Sequence, residues 1–539
     1  MMPKQGMPTF VPVDLHFPLA GIDKSRGFDR QPNRQTADGQ FARTTPAGVN
    51  VRAFDVRTGR ARGGQRAGLD KYIAAQPSGR NAIQLLAAIS GVGYSAPGGG
   101  VQTSSSGRVV TLVTVSEGNV KVADAGATSY TAPTGYAAAL NTSGVVFAAP
   151  NVQKLWFADG TNWKYYDPAT NTVSAWTASA GSLPVDADNN APRLIETWRG
   201  RTILSGLLRD PQNWFMSKVG DPLYWQYSPL SPSPTDPIAG NNSTLGKVGD
   251  VITALIPFSD DVLFFGGDHT LWMMRGDPLA GGDIHLISDA IGVAWGRAWC
   301  KDPYGAIYFV SNRMGIYKVS PSSMPQRISQ QIEQLLSTVN TGSNTISLAW
   351  DDRFQGLHVF VTRTSGPYRA NHLFWEMRTG AWWLDTFENI YQNPLCCTVF
   401  DGNEPDDRVT LIGSWDGYIR FLNPDATKDD GYAIASSVVI GPLLTKDLDA
   451  LLLKELVAVL GEDSGDVGYA IYVGSTAEAA LASEPIEEGV WTAGRNDATY
   501  IQAAAHAVYV KLTATSPWAM EAIRAMVSTK GKVAARRSS

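Results

Sequence analysis

One unit recurs along most of this chain and limits what it can become: an apolar strand, a tight turn rich in Gly, Asn or Asp, and an aromatic-rich second strand. Instances are RVVTLVTVSEGNVKVADAG, KLWFADGTNWKYYDPATN, RTILSGLLRDPQNWFMSKVGDP, DVLFFGGDHTLWMMRGDP, GAIYFVSNRMGIYKVS, QGLHVFVTRTSGPYRANHLFWEMRTGAWW and RVTLIGSWDGYIRFLNP. Their turns centre near residues 118, 160, 211, 268, 314, 368 and 417. A hairpin every ~40–55 residues matches the period of four-stranded propeller blades. Radial closure of such blades leaves only short, protected edges. Seven hairpins predict six to eight blades, a range that leaves room for a terminal blade shared between chain ends. A β-solenoid would show shorter, stricter repeats; it and stacked sandwiches are the alternatives to the preferred propeller.

The rest of the 539 residues exceeds one compact core and divides by composition. Residues 1–80 read as an extended basic arm ending in a hairpin about Thr58-Gly59, residues 81–430 as the propeller-like body, 431–530 as a C-terminal β-sandwich and 531–539 as a basic tail. The sandwich rests on six alternating strands, from IASSVVIGPL to AMEAIRAMVST. The spacing of Ile328, Ile332, Leu335 and Leu336 predicts a helix over 327–339. The fold class is therefore mainly β, with extended arm, multi-bladed body and sandwich in that order.

Charge is uneven. The arm carries 13 Lys and Arg against 6 Asp, so it holds +7 of a formal total of −5 and the remainder holds −12. That asymmetry predicts docking onto an acidic partner or a neighbouring copy. Nucleic-acid binding is the sharper alternative, but the Arg residues are spread through a Gly/Pro/Gln-rich stretch without interleaved aromatics. MMPKQGMPTF lacks the apolar run of a signal peptide, and no window approaches the ~20 apolar residues of a membrane helix, so no membrane span is expected.

Catalytic and metal motifs are not apparent. The six histidines are scattered, and Cys300, Cys396 and Cys397 read as core thiols. GNNSTLGKVGD departs from a phosphate loop, because five residues separate Gly240 from Gly246-Lys247 and Val248 follows. The pairs Asp260-Asp261, Asp351-Asp352 and Asp406-Asp407 suit turns better than a glycosidase site. The aromatic clusters Trp163-Tyr165-Tyr166, Tyr224-Trp225-Tyr227 and Trp375-Trp382-Trp383 suit burial between blades or subunits better than sugar platforms. Trp415-Asp416 and Gly266-Gly267 each occur once, too few for a WD40 or kelch array. No catalytic, cofactor-binding or metal-binding residue is assigned, no cofactor is expected, and the chain is read as a non-enzyme.

Several stretches resemble the nozzle, or tail tubular B-type, proteins of short-tailed bacteriophages. The strongest is residues 251–320, with Ile252-Thr253-Ala254-Leu255, Pro257-Phe258, Gly276-Asp277-Pro278, Ile291-Gly292, Gly305, Tyr308-Phe309, Ser311 and Gly315-Ile316-Tyr317. The opening VDLHFPLAGID, the hairpin NVRAFDVRTGRARGGQRAG and the ending HAVYVKLTATSPWAMEAIRAMV are also similar to that family. The resemblance implies a structural virion protein, assembled in the host cytoplasm: a subunit of a ring, hexameric in that family, around the DNA ejection channel. Its partners would be its own copies, the tail adaptor of the head-to-tail connector, and tail fibre or spike proteins, with viral DNA passing unbound. A peripheral hub or glycan-binding protein and a carbohydrate-active propeller enzyme are the alternatives.

Overall fold

The structure, a computed structural model, describes residues 10–28, 31, 34–35, 41–91, 109–369, 371–402, 407–444 and 450–529. Seven antiparallel meanders follow one another along it. Blade 1 holds Ile83–Gly91, Val109–Ser116 and Asn119–Asp124; blade 2 runs from Phe147–Asn151 to Thr172–Ala175, and blade 3 from Leu194–Trp198 to Ile238–Ala239. Blade 4 runs from Ile252–Ser259 to Asp283–Ser288, blade 5 from Trp299–Lys301 to Gln326–Arg327, and blade 6 from Asn344–Asp351 to Ala381–Asp385. Blade 7 takes Pro394–Asp401, Arg408–Ser414 and Ile419–Asn423, and its fourth strand, Gly68–Lys71, comes from the start of the chain. All seven turns singled out in the sequence join the second and third strands of a blade. The body is thus a β-propeller, with its last blade shared between chain ends.

Alternation along the strands fills the layers between blades. Leu85, Ile89 and Val113 of blade 1 pack with Leu155, Phe157 and Tyr166 of blade 2. Trp156 and Trp176 of blade 2 join Trp214 and Trp225 of blade 3. Closure is apolar as well: Ile83, Leu86, Val110 and Leu112 of blade 1 meet Cys396, Phe400, Leu411 and Ile419 of blade 7. Gly266 is needed for the same reason, since a Cβ there would come 2.6 Å from the Val293 side chain.

The C-terminal segment forms the second unit with eight strands where six were expected, since TYIQAAAHAVYVKLTAT divides into Thr499–Ala505 and Ala507–Ala514 and Gly494–Arg495 is additional. One sheet contains Leu451–Leu460, Gly494–Arg495, Thr499–Ala505 and Met520–Thr529. The facing sheet contains Ser436–Leu443, Ala507–Ala514, Val467–Gly474 and Glu487–Trp491. Leu453, Leu456 and Ile523 from the first share a core with Ile440, Val508 and Val510 from the second.

The N-terminal segment departs from its reading as a separate arm. Val11–Leu15 is an edge strand of the sandwich, with Val11 opposite Val527 and Leu15 opposite Ile523. Gly48–Val49 lies between the last strand of blade 6 and Ser436–Leu443, joining them into one nine-stranded sheet. The Thr58-Gly59 hairpin forms as expected, with Val51 opposite Gln65, but two of its arginines are buried. Arg66 binds Asp429 in a bidentate pair at 2.8 and 2.5 Å, and Arg52 binds Asp385 at 2.8 and 2.7 Å. Part of the acidic partner that the arm's charge calls for is therefore its own chain. A boundary at residue 80 does not exist in space, because Gly68–Lys71 completes blade 7.

The helix expected over 327–339 shrinks to a 3-10 turn, Gln330–Ile332, and one α-turn, Glu333–Leu336. Gln326–Arg327 instead extends blade 5, and the Ile328 amide donates to the Ile316 carbonyl. Ile332 and Leu336 are buried as the apolar stripe requires; strand pairing takes the residues before them. The 531–539 tail lies outside the described residues.

Removing one partner of a buried ion pair strands the other without compensation. Arg66→Ala is expected to cost about 3–5 kcal/mol in urea unfolding followed by Trp fluorescence, whereas Arg66→Met with Asp429→Leu recovers much of the loss.

Candidate functional site at the propeller axis

The first strands of the blades surround the axis, and the space they leave is divided in two. One chamber, about 480 Å³, has Asn81, Gln84, Ser143, Thr345 and Trp415 in its wall and exposes more apolar than polar surface. The other, about 410 Å³, exposes polar and apolar surface in near-equal measure, with Phe147, Ala148, Trp299, Leu348 and Val399 in its wall. Arg297 borders both. It sits in the link between blades 4 and 5, where the backbone at Arg297 bridges in parallel to Ser347 of blade 6. Its guanidinium donates to the Val146 carbonyl, at longer range (3.4 Å) to the Gln84 carbonyl, and stands 5.6 Å from the centre of the Phe147 ring.

Three side chains bring charge to this second chamber: Glu196 from blade 3, Lys301 from blade 5, and Arg297. The Lys301 ammonium donates to the Pro257 carbonyl at 2.7 Å. Among the described residues, neither cation has a carboxylate within 4 Å. Burial pushes the Glu196 carboxyl up to about 8, against the opposing pull of Lys301 and Arg297. Burial also lowers Lys301 and Arg297 from their ordinary values. At neutral pH the chamber wall therefore carries more positive than negative charge.

None of these three residues stands out in the sequence. Glu196 interrupts an apolar strand, LIETW, and that break in the alternation is the one signal that could have marked it. Arg297, in GVAWGRAWC, carries no comparable mark.

The residues weighed from the sequence are spread over the molecule in structural roles. Asp260 and Asp261 are exposed at the first turn of blade 4. Asp351 accepts from the Arg353 and Phe354 amides, while Asp352 accepts from Trp350 Nε1 and Arg408. Asp407 lies at the corresponding turn of blade 7; Asp406 is outside the described residues. Lys247 of the glycine-containing loop pairs with Asp210 at 2.7 Å. Asp416 clamps Arg420 at 2.9 and 2.6 Å, so the Trp-Asp turn anchors a strand. Trp225, Trp382 and Trp383 are fully buried, and Trp163, Tyr165 and Tyr224 partly so, as the burial reading expects. Cys396 and Cys397 are buried free thiols: Cys396 Sγ donates to the Ile83 carbonyl and Cys397 Sγ lies 2.9 Å from Ser347 Oγ. Among the described residues no three His, Cys, Asp or Glu side chains gather as a metal-ligand set. No described helix is long and apolar enough to cross a membrane.

No known protein family matches the chain, and no curated protein does. Solved structures similar to it include YCF48 bound to a D1 peptide (12% identity, TM-score 0.38, covering 66% of this chain and 97% of that one). Another is the WD40 β-propeller domain of Doa1 (10% identity, TM-score 0.38, covering 67% and 97%). The extracellular domain of the two-component system BT4673 from B. thetaiotaomicron is similar at 12% identity and TM-score 0.41, covering 81% of this chain and 56% of that one.

Two outcomes follow from the axis. Glu196 holds its proton more tightly folded than unfolded, so its contribution to stability is complete below its ordinary value near 4.5 and is lost as pH rises through about 8. Glu196→Gln should flatten that decline in melting temperature measured across the interval. Burial also drives the Cys396 and Cys397 thiols up to about 11 and 12, with Arg297 and Ser347 respectively opposing. At pH 8 iodoacetamide should alkylate them roughly a hundredfold more slowly in the native protein than in urea, as mass spectrometry can follow.

Proposed function

We propose that the chain is a structural subunit of a short-tailed phage tail nozzle, assembling as a ring around the ejection channel. The observation that supports this reading is where the resembling stretches lie. The opening and closing ones are hydrogen-bonded to each other as neighbouring strands, and the hairpin between residues 49 and 68 ties both to blade 6 and blade 7. The central stretch, 251–320, makes blade 4 and the first three strands of blade 5. The resemblance thus follows whole structural units rather than isolated turns.

In such a ring the duct must run between subunits. The propeller's own axis is divided at Arg297 into chambers the size of small-molecule sites, far too small for a duplex. Heterologous contacts that close by rotation would build the wall. Exposed apolar residues available for them include Leu230 in the Pro/Ser-rich loop of blade 3 and Val490 and Tyr500 of the sandwich.

Mass photometry and negative-stain imaging over a concentration series test the proposal. Six copies of the 58.0 kDa chain should give a particle of about 348 kDa with a central hole. A chain that stays monomeric throughout, and that antibody labelling fails to find on tails, overturns it.

A further inference from the structure

We propose that the chamber on the propeller axis lined by Glu196, Arg297 and Lys301 binds a small carboxylate with an aliphatic or aromatic body. Its carboxylate would lie between Lys301 and Arg297, and its body would lie against Phe147, Trp299 and Leu348. This inference is independent of the ring assignment and concerns the inside of one subunit.

Three features carry it. The chamber's volume, about 410 Å³, falls in the range of ligand sites, and Arg297 borders it. Most of its lining residues are apolar, yet about half of the surface they present is polar, the mixed composition of a site that takes an amphipathic molecule. Both cations are answered only by neutral groups: Lys301 by the Pro257 carbonyl, and Arg297 by the Gln84 and Val146 carbonyls and the Cys396 sulfur. Lys301 is exposed and Arg297 half-buried, and a cation without a carboxylate partner gains from an anion that supplies one.

Glu196 gives the site its selectivity. It faces Lys301 and Arg297 across the chamber without approaching either to ion-pair distance. Burial keeps its carboxyl largely protonated at neutral pH, so it can donate a hydrogen bond to a bound carboxylate instead of repelling it. A chamber built for a neutral hydrocarbon would need none of the three charged side chains. One built for a bare inorganic anion would not present Phe147, Trp299 and Leu348.

Isothermal titration calorimetry of the full chain with octanoate, at pH 7, tests this against 1-octanol and octylamine. Octanoate should bind with roughly millimolar affinity, as so small a ligand allows, and the other two should bind at least about tenfold more weakly. Lys301→Gln should weaken octanoate about tenfold by removing one charge-assisted contact. Ala148→Phe, which fills the chamber, should abolish binding while leaving the far-ultraviolet spectrum unchanged. The proposal is overturned if octanoate gives no saturable heat up to about 10 mM, or if octanol binds as well. Octanoate binding that survives Lys301→Gln undiminished also overturns it. Should Ala148→Phe fail to fold, the Lys301→Gln comparison decides alone.

Discussion

The pairing of Arg66 with Asp429, and of Arg52 with Asp385, is the constraint on which the rest of this molecule depends. Both arginines lie on a short hairpin near the start of the chain, and both carboxylates lie hundreds of residues later. A guanidinium inside a protein is tolerated only where its donors are met, and those of Arg66 are met fully. Arg66 also donates to Asn50 Oδ1 and to the carbonyls of Ala67 and Thr386, and Arg52 stands 4.1 Å from the centre of the Phe374 ring. Burial works against each charge, yet the carboxylate of Asp429 raises Arg66 and the guanidinium of Arg52 holds Asp385 below its usual range. The hairpin therefore has one place to sit, at the junction of blade 6, blade 7 and the sandwich.

From that position the remaining long-range order follows. Gly48–Val49 continues the sheet of blade 6 into the sandwich, and Gly68–Lys71 closes the propeller through blade 7. The propeller is closed by a strand from one chain end, and the sandwich is edged by another from the same end. Neither unit is complete until the N-terminal segment is in place, so these pairings carry the largest closure entropy in the fold. Arm removal is consequently a folding experiment. It would open blade 7 and strip an edge from the sandwich before any question of assembly could be asked.

Much of this was legible in the sequence because blades advertise themselves locally. Glu117-Gly118 and Asp416-Gly417 sit in turns whose glycines take φ of +70 and +80°, the chemistry that marks a hairpin. Strands such as KLWFA and VLFFGG read as continuous apolar runs because each blade is covered on both faces. The sharing of a terminal blade could be anticipated in kind, but the strand that does it could not: Gly68–Lys71 is four residues with no distinctive pattern. The basic arm was visible as a charge imbalance, while its partners were not, since nothing local ties Arg66 to Asp429. The helix failed for a related reason. Ile328 and Leu335 show the right spacing, but periodicity does not report that Gln326–Arg327 is already claimed by a neighbouring strand. The axial charges were missed because three residues from three places converge only when the ring closes.

That convergence also bears on what the fold is for. Arg297 divides the axis, and Lys301 and Glu196 take up one of the two chambers, so the hole every propeller has is filled in this one with chemistry rather than left as a passage. Blades and sandwich joined by one continuous sheet make a stiff body with large lateral faces, which suits an element that must hold its shape within a larger wall. The two roles do not compete for the same surface: assembly would use the outer strands and loops, and the axis stays enclosed by the inner ones. A ligand on the axis would touch inner strands of several blades together, and anything that touches them together opposes their separation. Occupancy of the chamber and stability of the propeller are thus coupled by geometry.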